Sequence, residues 1–245
     1  MKFLDTQQGR RIAYHKTPGQ GPWIVFLGGF KSDMGGTKAV HLETWAKARG
    51  QAFLRFDYSG HGESSGAFED GAIGDWTEDA VAAIETLTEG PVVLVGSSMG
   101  GWISLLVQRR VARVAGLVGI AAAPDFTEDS MWAGFDGDQR ATLKSEGRVA
   151  LPSEYGDPYI ITRRLIEDGR NHLVLRDPVA AFGPVRLLQG TEDADVSRET
   201  ALRLLDHLKG DVRLTLVKGA DHRFSDPACL SLIETAIEEV LTCVS

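Results

Sequence analysis

Unbroken apolar, β-prone runs alternate along this chain with stretches whose apolar residues recur at helical spacing, and that alternation restricts the possible folds. PWIVFLGG precedes TKAVHLETWAKARG, QAFLRFD precedes a glycine-rich loop and DWTEDAVAAIETLTEG, and PVVLVGS runs into MGGWISLLVQRR. After VAGLVGIAA the rhythm pauses, then resumes with PVRLLQG before SRETALRLLDHLKG and DVRLTLVKG before SDPACLSLIETAIEEVL. A strand that is apolar at successive positions must be covered on both faces, which is the situation of a parallel sheet between two helical layers. Right-handed crossovers then make the sheet doubly wound. KFLD and RIAYHK, separated by a turn around Gln8-Gly9, add an opening antiparallel hairpin. The expectation is an α/β fold with a mostly parallel, eight-stranded sheet and helices on both faces.

The pause separates residues 1–123 and 184–245, the expected core, from residues 124–183. That segment has no buried-strand pattern, only Gly-Asp turns, a short VALP run and a helical stretch near TRRLIEDG. A compact domain does not carry so long a connection as bare loop, so it should have structure of its own. Inserted after the sixth strand, it would overhang the carboxyl ends of the strands, where open α/β sheets bind ligands. A small lid is expected there. Its Phe126, Met131, Trp132, Phe135, Tyr155 and Tyr159 suit either an acyl-chain lining or the lid's own core.

Composition narrows the partners. The formal net charge of −8 disfavours nucleic acid, whose phosphates an acidic surface repels. No apolar run approaches the roughly 18 residues needed to span a bilayer, and MKFLDTQQGRR has neither a signal core nor transit-peptide character. A soluble, cytoplasmic protein of bacterial type, monomeric or weakly dimeric, is the expectation. Cys229 and Cys243, if on one helix, stand roughly 21 Å apart, too far for a disulfide.

In LVGSSMGGW, Gly96, Ser98 and Gly100 satisfy G-x-S-x-G, whereas Ser97 is flanked by Val95 and Met99. Chance alone gives roughly 0.2 such matches in a chain with this much glycine and serine, so the setting must decide. The setting is a buried strand, a tight turn and a helix, as a nucleophile elbow requires. Ser98 is the expected nucleophile. A hydroxyl needs a base, and the base an orienting acid. Of His15, His41, His61, His172, His207 and His222, only His222 follows the last strand, in KGADHRFSD, where the order Ser…Asp/Glu…His puts the base. By residue type Glu192, Asp193 and Asp195 all qualify as the acid, Asp195 being equally suited to capping the helix near Ser197. The oxyanion requires two N–H donors: Met99, next to the nucleophile, and one from LGGFKSDMGGTK, where two glycines favour Phe30. The same loop does not make a P-loop, because GGTK scrambles the G-K-[ST] order. His61 and Trp102 are candidate substrate contacts, His61 being better suited to a loop role satisfied by backbone. Asp57 is expected to tie down the loop after its strand.

GGFKSDMGGTKA, RFDYSGHGESSG, GPVVLVGSSMGGW, RLLQGTEDADV and ADHRF together resemble the α/β-hydrolase superfamily over the whole chain. Within it they are similar to a branch of palmitoyl-protein thioesterases and acyl-glucuronide esterases. The resemblance implies Ser98 as nucleophile, Asp193 as acid, His222 as base, and ester or acyl-thioester substrates, S-acylated protein among them. It implies no metal or organic cofactor. Gln189 departs from the pattern, standing where many relatives have His. A glucuronide-type substrate would need a cation for its carboxylate, for which Arg163, Arg164 and Arg170 are candidates. Their other reading is a solvated helix face paired with Glu167 and Asp168. The alternative function is a ligand receptor of the same fold with little turnover.

Overall fold

The computed structural model describes residues 1–152 and 158–244. Eight strands form the main sheet: β1 (Lys2–Asp5), β2 (Arg11–Thr17), β3 (Gln20–Leu27), β4 (Gln51–Phe56), β5 (Val92–Ser97), β6 (Val114–Ile120), β7 (Val185–Gly190) and β8 (Val212–Val217). Their spatial order is β1-β2-β4-β3-β5-β6-β7-β8. The β1–β2 and β2–β4 pairings are antiparallel, and every pairing from β4 to β8 is parallel. The architecture matches the expectation of a mostly parallel sheet with an opening hairpin.

Alternate side chains of each inner strand serve opposite faces, which is why the runs are apolar throughout. Val25, Leu27, Leu54 and Leu94 join a core with Trp76 and Ile84 of α2 (Ile73–Leu87) and Ile103 of α3 (Met99–Val107). Ile24, Phe26, Phe53, Val93 and Val95 point the other way. They meet Leu42 and Trp45 of α1 (Thr37–Ala48). Cys229, Ile233 and Ile237 of the C-terminal helix (Pro227–Val244) complete this second core. Cys229 and Cys243 are both free thiols on that helix, Cys229 buried and Cys243 exposed.

The chain leaves the sheet after β6 and returns at β7. Between them lie a π-helical turn (Thr127–Trp132), α4 (Gly137–Glu146), an antiparallel pair of short strands (Arg148–Leu151 with Tyr159–Thr162) and α5 (Arg163–Arg170). α4 was not expected, yet its boundaries are encoded. Asp136 accepts from the Gln139 N–H at 2.8 Å and the Gln139 side chain accepts from the Asp136 N–H at 2.9 Å, a capping box, and Gly147 ends the helix at φ 76°. The two arms of the excursion are clasped at its base. Asp125, fully buried, accepts from the N–H groups of Val174 (2.7 Å) and Leu175 (2.9 Å) and from Arg176 (3.1 Å). Arg176 and Arg203 also bind Asp129, at 2.5 and 2.8 Å. Trp132 and Phe135 pack together within the excursion, with ring centroids 6.1 Å apart. Tyr155 lies outside the described residues.

Candidate active site

Ser98 stands between β5 and α3 with φ 53° and ψ −116°, a conformation costly for any residue with a Cβ. The crowding of its turn explains the glycines on either side. A Cβ on Gly96 would strike the Gly100 carbonyl and Ser104 Oγ, and a Cβ on Gly100 would strike the Leu27 and Gly28 carbonyls. The strained turn thus lifts Ser98 out of the sheet while α3 begins immediately behind it. Met99 opens α3, so its N–H belongs to the first turn, which has no intrahelical acceptor.

The loop after β3 comes up against this turn. A Cβ on Gly29 would sit 3.4 Å from Ser98 Cβ, so backbone and the Ser98 side chain nearly touch there, and Phe30 follows directly. Asp57 holds the loop. Its Oδ1 accepts from the Met34 N–H at 2.6 Å while its Oδ2 accepts from the Glu63 N–H at 2.9 Å, joining the loops after β3 and β4. Burial raises the Asp57 carboxyl above its ordinary pKa, against the pull of those two donors.

Asp193 and His222 face each other across the ends of β7 and β8. His222 Nδ1 lies 3.0 Å from Oδ1 and 2.9 Å from Oδ2 of Asp193, whose side chain is 0% exposed. The carboxylate has further donors: the N–H groups of Asp195 (2.9 Å) and Val196 (2.8 Å) on Oδ1, and Gln189 Nε2 (2.9 Å) on Oδ2. Burial works against its charge, but the His222 hydrogen bond and these donors outweigh it and hold the carboxyl below its ordinary pKa. The Gln189 amide also donates to the Val196 carbonyl at 3.0 Å, closing the loop that presents Asp193. Asp195 does not cap the next helix, α6 (Arg198–His207); Ser197 does, accepting from the Thr200 N–H at 3.3 Å. Among the described residues, Asp193, Asp195 and His222 have ligand atoms near enough to gather a metal ion. Asp193 is already filled by five donor contacts, however, and His222 Nδ1 is turned to it, so this arrangement fits an oriented imidazole better than a coordination sphere.

Ser98 and His222 line one cavity of about 580 Å³ at the carboxyl ends of the strands. Phe30, Phe126, Met131, Leu151 and Tyr159 form its apolar side, and Lys31, Lys38 and Arg223 lie on its wall as well. Lys38 had no assigned part in the sequence reading. Its Nζ donates to the Arg223 carbonyl, tying the segment that bears His222 to α1, and burial pushes its pKa down to about 8. A lysine in a helix's first turn, where the dipole disfavours cations, was the available signal.

Several expected substrate contacts are placed elsewhere. Trp102 is fully buried and donates to the His172 carbonyl at 3.0 Å, pinning α3 to the excursion. Arg163 pairs with Glu167 at 3.8 Å, Arg164 with Asp75 at 2.7 Å and Arg170 with Glu128 at 2.7 Å. None of the three arginines lines the cavity with Ser98. The amphipathic α5 buries Leu165 and Ile166, and that leaves the arginines on its outer side. His61 is 4% exposed and lies behind the Phe30 loop instead of facing the cavity.

Residues 24–230 match the model of the alpha/beta hydrolase family. The chain belongs to that family. This alpha/beta hydrolase is 34% identical over 245 residues to the human protein named palmitoyl-protein thioesterase ABHD10, mitochondrial, covering 98% of this chain and 80% of the relative. It also superposes on a crystal structure of a putative hydrolase from Agrobacterium vitis, with TM-score 0.92, 41% identity, and coverage of 98% and 97%. The mouse alpha/beta hydrolase domain-containing protein 10 gives TM-score 0.91 and 33% identity over 100% of this chain and 99% of the other. Among the described residues of the hydrolase, no helix is long and apolar enough to cross a membrane.

Proposed function

We propose that this hydrolase is a serine esterase or thioesterase acting through Ser98, His222 and Asp193. The observation that carries the reading is the Asp193–His222 hydrogen bond at 2.9 Å, with His222 and the strained Ser98 on the wall of one cavity. His222 Nε2 takes the Ser98 proton as Oγ attacks the acyl carbonyl. Asp193 keeps the proton of the imidazole on Nδ1 and stabilises the imidazolium that forms. The Met99 and Phe30 N–H groups receive the oxyanion. Collapse expels the alcohol or thiol, protonated by His222, and water activated by the same imidazole then releases the acid and regenerates Ser98. Residues 124–183 act as the lid, with Phe126, Met131, Leu151 and Tyr159 over the acyl group. The thioesterase names of the relatives support including S-acylated substrates.

A panel of p-nitrophenyl esters and acyl-thioesters of increasing chain length tests this, with Ser98→Ala and fluorophosphonate labelling beside it. Turnover that Ser98→Ala reduces by about 10³-fold or more is expected, since each triad member is worth at least that. An unlabelled, inactive wild type would favour a receptor, and an active Ser98→Ala protein would remove Ser98 from the chemistry.

A further inference from the structure

The histidine behind the Phe30 loop has contacts that call for a task of its own. His61 Nδ1 lies 3.1 Å from the Ser59 carbonyl, which can only accept. That fixes the proton on Nδ1 and leaves Nε2 bare. Nε2 in turn accepts from the Lys31 backbone N–H at 3.2 Å. Three aromatic rings wall the imidazole in, with centroids 5.6 Å (Tyr58), 5.1 Å (Phe68) and 5.1 Å (Trp76) away. Burial lowers its pKa to about 4, so the neutral form that this bonding requires is the one present at neutral pH.

Lys31 is held at φ 57°, in the left-handed region, directly after Phe30. A non-glycine residue stays there only where its surroundings impose it. Two of the rings around His61 also pack on the Phe30 side chain, Phe68 at 4.9 Å and Trp76 at 6.0 Å. Side chain and following peptide of Phe30 are thus secured by one cluster, in which His61 supplies the polar contact. We propose that His61 is a positioning residue: by accepting the Lys31 N–H it fixes the turn that aims the Phe30 N–H at the substrate oxyanion. This rests on the reading of Phe30 as an oxyanion donor. His61 itself does not line the cavity that holds Ser98, so it should govern kcat and leave KM alone.

Two variants split its contacts. His61→Gln places an acceptor near the Nε2 position and gives up the bond to Ser59, whereas His61→Asn keeps the donor near Nδ1 and gives up the bond to Lys31. With p-nitrophenyl butyrate, His61→Gln should keep kcat within about threefold of wild type. His61→Asn should lose about 10- to 100-fold, a part of what removing one oxyanion donor costs, with KM within about twofold in both. Nitrogen-15 NMR of the imidazole at pH 7 should show the Nδ1–H tautomer, a measurement that needs no variant. Equal kcat in the two variants, a loss confined to KM, or an Nε2–H tautomer would each overturn the proposal. Ser98→Ala separates the levels. If it is inactive while the two His61 variants match one another, only the part given to His61 falls; if it is as active as wild type, the reading of the whole site falls.

Discussion

Gln189→Glu is nearly isosteric, yet it sets a carboxyl where an amide now donates to Asp193 Oδ2 at 2.9 Å. Two ionised carboxylates about 3 Å apart repel by about 5 kcal/mol at an effective dielectric of about 20. Asp193 keeps its charge, held by His222 and the loop N–H groups, so the new side chain takes up the proton instead. At 1.36 kcal/mol per unit, the repulsion lifts its pKa by up to about 4 units from the ordinary value of about 4.3. The protonated acid still donates to Asp193, but the Val196 carbonyl loses its partner, a pH-independent cost of about 1 kcal/mol. Because the folded-state pKa is raised, the folded protein binds more protons than the unfolded chain above pH about 4.3. Stability relative to wild type therefore falls as pH rises, by at most about 1.4 kcal/mol per unit, and by about 3–4 kcal/mol in all at pH 7. Urea unfolding of both proteins between pH 4.5 and 7.5, followed by tryptophan fluorescence, measures this directly; Trp76 and Trp102 are fully buried reporters. A stability difference that is flat across the range would mean that Gln189 does not press on an ionised Asp193.

Asp193→Asn should retain the fold and lose about 10⁴ in kcat, as loss of the orienting acid does in the well-studied triad. Asp195→Asn, which leaves the His222 partner in place, should cost far less, and the opposite ranking in ester hydrolysis would exchange the two assignments. Arg163→Ala, Arg164→Ala and Arg170→Ala should change kcat/KM equally on an acyl-glucuronide and a neutral ester of the same acid, because all three pair outside the cavity. A loss of about 10-fold confined to the charged substrate would bring them back to the site.

The main sheet was legible because burial on both faces writes itself into local sequence, as in Ile24–Leu27 and Val92–Val95, whose side chains divide between two cores. That Ser98 and His222 share a cavity was legible because a strained turn requires glycines at set places and the order of strands brings the segment after the last one to the same end of the sheet. Asp193 was separated from Asp195 by resemblance alone; nothing local distinguishes them. What could not be read were contacts between distant segments. His61 meets Lys31 thirty residues away, and Arg164 meets Asp75 across two elements. The short strands of the excursion were missed because Arg148–Leu151 and Tyr159–Thr162 are four residues each and partly exposed, too brief for any periodicity to emerge.

The clasp at Asp125 makes the segment it closes exchangeable. Asp125 and Val174 are 49 positions apart in sequence yet share a hydrogen bond, so what lies between them begins and ends at one point. Doubling the length of such a closed loop costs only about 0.6 kcal/mol in closure entropy. Grafting a relative's segment between these two anchors would therefore recast the roof of the cavity and leave the turn at Ser98 and the loops bearing Asp193 and His222 untouched. Phe126, Met131, Leu151 and Tyr159 on the cavity wall and the three residues proposed to do the chemistry are carried on separable parts of the chain, so selection or a laboratory library can vary the one without rebuilding the other.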